Sequence, residues 1–127
     1  MSLDLTPVIF FGSQVIESYG GGQFRIGGVF HKGSVSVFSE KTVPWPVTLA
    51  NQISLASIDK EIIISESLEI LLIGCGRTLI PPPKKLRSAL RDQRLGLEWM
   101  TTDAACRTFN ILLAEERPVA AALIAID

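Results

Sequence analysis

The chain has 127 residues and a formal net charge of -1, with 47% hydrophobic and 20% charged side chains. That length suits one domain spanning residues 1–127, and the hydrophobic fraction excludes a mainly disordered chain. Near-neutral charge excludes a protein that wraps nucleic acid with its whole surface, and two cysteines, Cys75 and Cys106, are too few for a disulfide framework or a four-cysteine zinc site.

The start, with Asp4 and Pro7, lacks the basic and apolar regions of an export signal, and the run Val8–Phe11 stops at Gly12. No stretch approaches the ~20 apolar residues that cross a bilayer. No integral membrane segment is therefore expected, no membrane label is foreseen, and a reducing cytoplasm is the expected compartment. Val15–Tyr19 reads as a strand, followed by a turn at Gly20–Gly22. Phe24–Ile26 and Val29–His31 read as strand pieces around a bulge or bend at Gly27-Gly28. Lys32-Gly33 then joins them, hairpin fashion, to Ser34–Phe38. Pro44-Trp45-Pro46 ends the run in an extended edge segment.

The second half alternates strands and helices. Ser57 is placed to cap a short helix through Ile58 and Ile62, with Asp59 near its positive end. Leu68–Ile73 reads as a buried strand closed by Gly74-Cys75-Gly76. Pro83 is suited to the first turn of a helix running to Leu95, with Gly96 as its stop. Leu97–Thr101 is the next strand. Thr102 or Asp103 caps a helix whose Ala105, Cys106, Phe109, Leu112 and Leu113 share one face. It ends before Pro118, and Val119–Ile126 is a last buried strand whose alanines let helices pack closely. Strands this apolar imply an α/β fold with a sheet covered on both faces, the glycine-rich first half extending an edge or forming a side layer.

Gly74-Cys75-Gly76 after a strand invites comparison with a dinucleotide fingerprint, but the third glycine position is Leu79 and three prolines delay the helix. A tight turn with positive φ is the favoured account. Cys75 as a nucleophile would need a base, and the one histidine, His31, falls in the other half. Cys106 reads as an inert core thiol. No spacing of metal ligands occurs, so neither a metal nor a cofactor is expected. Gly20–Gly28 lies between strands and reads as a structural turn, not a phosphate cradle.

Charge is segregated between Arg77 and Arg94, where Arg77, Lys84, Lys85, Arg87, Arg91 and Arg94 face a single acid, Asp92. On a helix, Lys84, Arg87, Arg91 and Arg94 fall within roughly 80° of arc. With Arg77 they form a candidate surface for an acidic protein, an anionic membrane or a nucleic-acid backbone. No aromatic residue interleaves the stripe, which argues against nucleic acid. The structural alternative is a solvated face paired with carboxylates, several of which lie between Asp59 and Glu69.

Three segments, IESYGGGQFRIGG at 16–28, LLIGCG at 71–76 and DAACRTFNILLAEERPVAAAL at 103–123, carry a resemblance. They resemble the small single-domain family of unknown function that includes mitochondrial respiratory complex I assembly factor 3 and an adipogenesis-associated cytosolic protein of animals. The resemblance implies a three-layer α/β fold, with a central mixed β-sheet flanked by helices and an additional N-terminal glycine-rich β layer. Tyr19, Gly22, Phe24, Gly76, Arg107, Asn110, Glu115 and Arg117 fall on the family's signature positions. Cys75 stands where many relatives have threonine, which argues against an essential thiol.

Arg107 and Asn110 sit about 60° apart on the last helix and could bind free carbonyls of the glycine-rich turn. Two functional readings result. One is a non-catalytic protein-interaction module, an assembly factor for a membrane-bound respiratory complex, with an unidentified protein partner. The other is a small-molecule or anion-binding protein, nucleotide-like in its ligand, or an enzyme, using Gly74–Arg77 with Arg107 and Asn110.

Overall fold

The computed structural model describes residues 2–4 and 13–127; the run Val8–Phe11 lies outside the described residues. Strands β1 (Ser2–Asp4), β2 (Ile16–Gly20), β3 (Gln23–Ile26) and β4 (Val29–Lys32) form an antiparallel sheet in that order. Strands β5 (Val35–Val37), β6 (Thr42–Pro44), β7 (Ile70–Gly74), β8 (Gly96–Met100) and β9 (Val119–Leu123) form a second sheet, ordered β6-β5-β9-β7-β8. It is mixed: β7 runs parallel to β8 and β9, whereas β5 is antiparallel to β9 and β6. Helices α1 (Lys60–Ile64), α2 (Leu86–Asp92) and α3 (Thr102–Ala114) complete the α/β architecture.

The period of a strand decides the layers. Along β9, Val119, Ala121 and Leu123 face one core, together with α3 residues Ala105, Cys106, Phe109 and Leu113 and the first sheet's Ile16, Tyr19, Phe24 and Ile26. Ala120 and Ala122 face the other, with Ile62 of α1, Leu86 and Leu90 of α2, and Trp45. The central sheet is thus covered on both faces, and the glycine-rich sheet is a side layer beyond α3. Burial of alternating residues on two faces is why these strands read as unbroken apolar runs.

Several local expectations are corrected. Gly27-Gly28 is no bulge: Ile26 pairs with Val29, so the two glycines, at φ +55° and +82°, are the whole loop of a two-residue hairpin. Lys32-Gly33 makes no hairpin to the next strand. β4 ends the first sheet, and β5, whose Val35 and Val37 are buried, crosses into the second to lie between β6 and β9. The short helix is capped two residues later than expected, because the Asp59 carboxylate accepts the Glu61 N–H at 2.8 Å, while Ser57 lies in a 3-10 turn.

Pro83 does not open α2; its carbonyl accepts the Leu86 N–H, and the helix begins only there. It stops at Asp92, and Arg94, in the left-handed region at φ +64°, terminates it in place of Gly96, which is already strand. Thr101 occupies the N-cap position of α3, which frees Thr102 for another role.

Candidate functional site

The turn after β7 is built by close approach. A Cβ on Gly74 would lie 2.8 Å from the Thr102 Cα, so only glycine lets β7 meet the start of α3. The Thr102 hydroxyl accepts the Gly76 N–H at 3.0 Å and donates to the Ile124 carbonyl at 2.7 Å. The Cys75 N–H goes to the Met100 carbonyl at 2.8 Å, and the Ile124 N–H to Gly74 at 3.0 Å. Gly76 has φ +112°, the tight turn expected. The amides of Cys75 and Gly76 are therefore consumed by the fold, and the next helix starts at Leu86, so the turn has no phosphate cradle of the dinucleotide kind. Cys75 itself is buried, its thiol donating to the Thr78 carbonyl at 3.5 Å.

Beside this turn lies an open cleft of about 300 Å³, lined by Leu49, Cys75, Arg77, Ile80 and Ile124 among others. The Arg77 guanidinium hydrogen-bonds the Asp127 carbonyl. Arg107 and Asn110 do not line this cleft. The constellation of Arg77, Arg107 and Asn110 anticipated from sequence is thus not assembled.

Those two residues work elsewhere, at the seam between α3 and β2. The Asn110 carboxamide donates to the Ile16 carbonyl at 2.8 Å and accepts the Ile16 N–H at 2.9 Å. It acts as a one-residue strand, satisfying backbone groups where a register shift between Ile16 and Ser18 interrupts the β2–β3 ladder. Arg107 reaches the Tyr19 hydroxyl at 3.3 Å and Asp103 at 3.7 Å. Burial raises the Tyr19 pKa, partly opposed by the nearby Arg107 charge. Asp103 is held below the usual carboxylate range, chiefly by the Thr101 hydroxyl donating to it at 2.6 Å.

Phe24 is core, and Gly22 sits in the β2–β3 turn, its N–H donating to the Ile126 carbonyl at 2.8 Å. Arg107 and Asn110 thus meet strand β2, not the free carbonyls of the glycine-rich turn. Glu115 and Arg117 form an exposed ion pair at 3.8 Å. Burial pushes the Cys106 thiol strongly up, in keeping with its core position.

The basic segment is the third feature. Shortening of α2 leaves Lys84 before the helix and Arg94 after it, so only Arg87 and Arg91 hold helical spacing. All five of Lys84, Lys85, Arg87, Arg91 and Arg94 are exposed. Among the described residues, no carboxylate lies within 4.0 Å of any of them. Arg87 is committed to the fold: its guanidinium donates to the Leu97 carbonyl at 2.6 Å, at the outer edge of β8. Arg87, Arg91 and Arg94 line a cleft of about 360 Å³ over Leu95–Leu97, and Arg94 also borders one it shares with Glu66 and Asp92.

Sequence reasoning offered Thr102 and Asp103 only as caps of α3; it missed that the Thr102 hydroxyl reaches Gly76 and Ile124 and that the Thr101 hydroxyl donates to Asp103. A polar residue flanking a helix start was the available signal. Among the described residues, no group of three or more His, Cys, Asp or Glu side chains is arranged to hold a metal. No helix of the described residues is long and apolar enough to cross a membrane.

A protein family described as of unknown function (DUF498/DUF598) matches residues 16–124. An uncharacterised protein of Rhodobacter capsulatus is 34% identical over 115 residues, 91% of this chain and 87% of that protein. NADH dehydrogenase [ubiquinone] 1 alpha subcomplex assembly factor 3 of Drosophila melanogaster is 33% identical over 94 residues; they make up 72% of this chain but 48% of that protein, about half its length. A crystal structure described as an outer membrane protein of Bartonella henselae matches with a TM-score of 0.79 and 36% identity, over 94% of this chain and 100% of that one. That description carries a membrane label that the residue pattern did not foresee, and it belongs to that protein.

Proposed function

The chain belongs to the DUF498/DUF598 family of proteins of unknown function, and from this premise we propose that it is a non-catalytic protein-interaction module of the assembly-factor type. The observation that carries the reading is the likeness to complex I assembly factor 3 across 72% of the chain. Arg77 is held by the Asp127 carbonyl at another cleft, so the face that would meet the partner is the exposed basic one of Lys84, Arg91 and Arg94. These cations lack carboxylate partners within 4.0 Å among the described residues. An acidic segment of a partner protein suits them, because exposed charges steer association and set specificity more than they add stability. A membrane-bound respiratory complex under assembly is the partner class this reading names.

The reading takes residues 1–127 as one domain and the cytoplasm as its compartment, with Cys75 and Cys106 as buried thiols. It ranks a protein above nucleic acid as partner, since no aromatic side chain interleaves the basic stripe for single-strand stacking. The test is affinity purification of the tagged chain from its native cells, beside a Lys84→Glu/Arg91→Glu form. Arg87 is left intact because it holds β8. The expected result is loss of the specific partner in the variant at unchanged thermal stability. Retention of every specific partner would remove the basic face from the proposal.

A further inference from the structure

The two sheets treat their edges differently. In the five-stranded sheet, edge strand β6 ends in Pro44, which has no N–H to offer. At the opposite edge, the Leu97 carbonyl of β8 is taken by Arg87, and the Trp99 indole N–H ties the Ile80 carbonyl alongside at 2.6 Å. Such devices keep an edge from recruiting another strand. The four-stranded sheet ends in β4, which has neither a proline nor a side chain tied to its backbone, only the charge of Lys32.

The direction of the β4 backbone groups follows from its hairpin. In a two-residue hairpin the flanking pair, Ile26 and Val29, exchanges hydrogen bonds, so Val29 and His31 point their N–H and C=O groups toward β3. The next odd residue keeps the alternation, as the Gly33 N–H donates to the Gly22 carbonyl at 2.9 Å. Phe30 and Lys32 therefore point their N–H and C=O groups away from the sheet. No partner for them exists among the described residues. The side chains leave the edge equally open: Val29 is 57% and Phe30 61% exposed, and the Arg25 guanidinium lies over the Phe30 ring at 5.6 Å.

We propose that β4 pairs with β4 of a second copy of this chain, antiparallel about a two-fold axis at His31, joining the two four-stranded sheets into one. A two-fold pairing must keep residues of the same face opposite each other, so its centre falls on a residue, and Phe30 and His31 are the two central ones of β4. Centred at His31, Phe30 faces Lys32 of the second copy twice over, and the outward groups of both residues in both copies are used in four backbone hydrogen bonds. Centred at Phe30, the flanking pairs need the Gly28 N–H, which the Glu17 carboxylate already holds.

The His31 register also separates the charges. Lys32, the one fully charged side chain of the strand, meets an aromatic ring and not its own copy. The strand is its own complement, and this argues for a second copy over a foreign strand.

Sedimentation velocity of the whole chain across a concentration series tests this. The expected result is a reversible monomer–dimer equilibrium. Phe30→Pro removes an N–H that bonds nothing within the chain, and should weaken the dimer about tenfold or more while leaving the monomer folded. Phe30→Lys sets like charges opposite each other and should give monomer, and Phe30→Lys combined with Lys32→Glu should restore the dimer by placing opposite charges across the axis. A wild-type chain that stays monomeric up to about millimolar concentration overturns the proposal, since weaker pairing than that carries little free energy. So does a dimer indifferent to both single substitutions, or one that the double substitution fails to restore. Capture of a different chain through β4 by a monomeric wild type also overturns it.

Discussion

Two helices of this molecule carry polar and charged residues that sequence inspection treats alike, and the fold uses them in opposite ways. On α3, Asn110 turns inward to Ile16 of β2, and half-exposed Arg107 beside it is committed to Tyr19 and Asp103 along the same seam. On and around α2, Lys84, Arg91 and Arg94 turn outward with no carboxylate within 4.0 Å among the described residues. A partner is better sought where the side chains remain uncommitted than where the family's signature residues lie.

The strongest way to break the comparison is Asn110→Ala. It strips both backbone groups of fully buried Ile16 of their partner and should cost about 3 kcal/mol in urea-induced unfolding, since each orphaned buried group costs roughly 1–3 kcal/mol. A loss below about 0.5 kcal/mol, the range of ordinary surface substitutions, would place Asn110 with the outward residues. Next comes Thr102→Val, which keeps the shape but loses contacts to Gly76 and Ile124, at roughly 2 kcal/mol by the same measurement.

Part of this contrast was legible beforehand. Apolar runs marked β7, β8 and β9, and the recurrence of Ala105, Cys106, Phe109 and Leu113 marked the buried face of α3, because burial imposes a period. The Asn110 partner was not legible: Ile16 lies 94 positions away, and spacing along a helix shows which residues share a face but not what that face meets. Gly33 failed for a related reason. Alternation shows that Val35 and Val37 belong to a strand, yet leaves open which sheet receives it. In α2 a proline's own φ favours a first turn, but each proline also pushes the residue before it out of the helical region, and left-handed Arg94 closes the other end.

Acidity and alkalinity sharpen the seam further. Asp103 has a depressed pKa when folded, so its contribution is present above the carboxylate range and is lost as the pH falls through its folded value. Asp103→Asn should therefore flatten the acid limb of a stability–pH curve below about pH 4. Tyr19 has a raised pKa, so its contribution holds at neutral pH and fades as the pH climbs past about 10, where the unfolded chain ionises first. Tyr19→Phe should remove that alkaline limb, as followed by near-ultraviolet unfolding curves.

The smallest effects close the series. Arg107→Ala should cost roughly 0.5 kcal/mol, since the guanidinium is half exposed and its ion pair with Asp103 is screened. Lys84→Glu with Arg91→Glu should move stability by no more than about 0.5 kcal/mol. Thermal unfolding monitors both. A large loss in the second case would show that the outward face also holds the fold.

The Thr102 hydroxyl has a kinetic consequence. It links the turn after β7, the first turn of α3 and the residue after β9, three places brought together only when β7, β8, α3 and β9 are all docked. The Gly76 amide is released only when the buried first turn of α3 leaves the end of β7. Its deuterium uptake should therefore be among the slowest in the chain, and should accelerate with denaturant along the slope of complete unfolding.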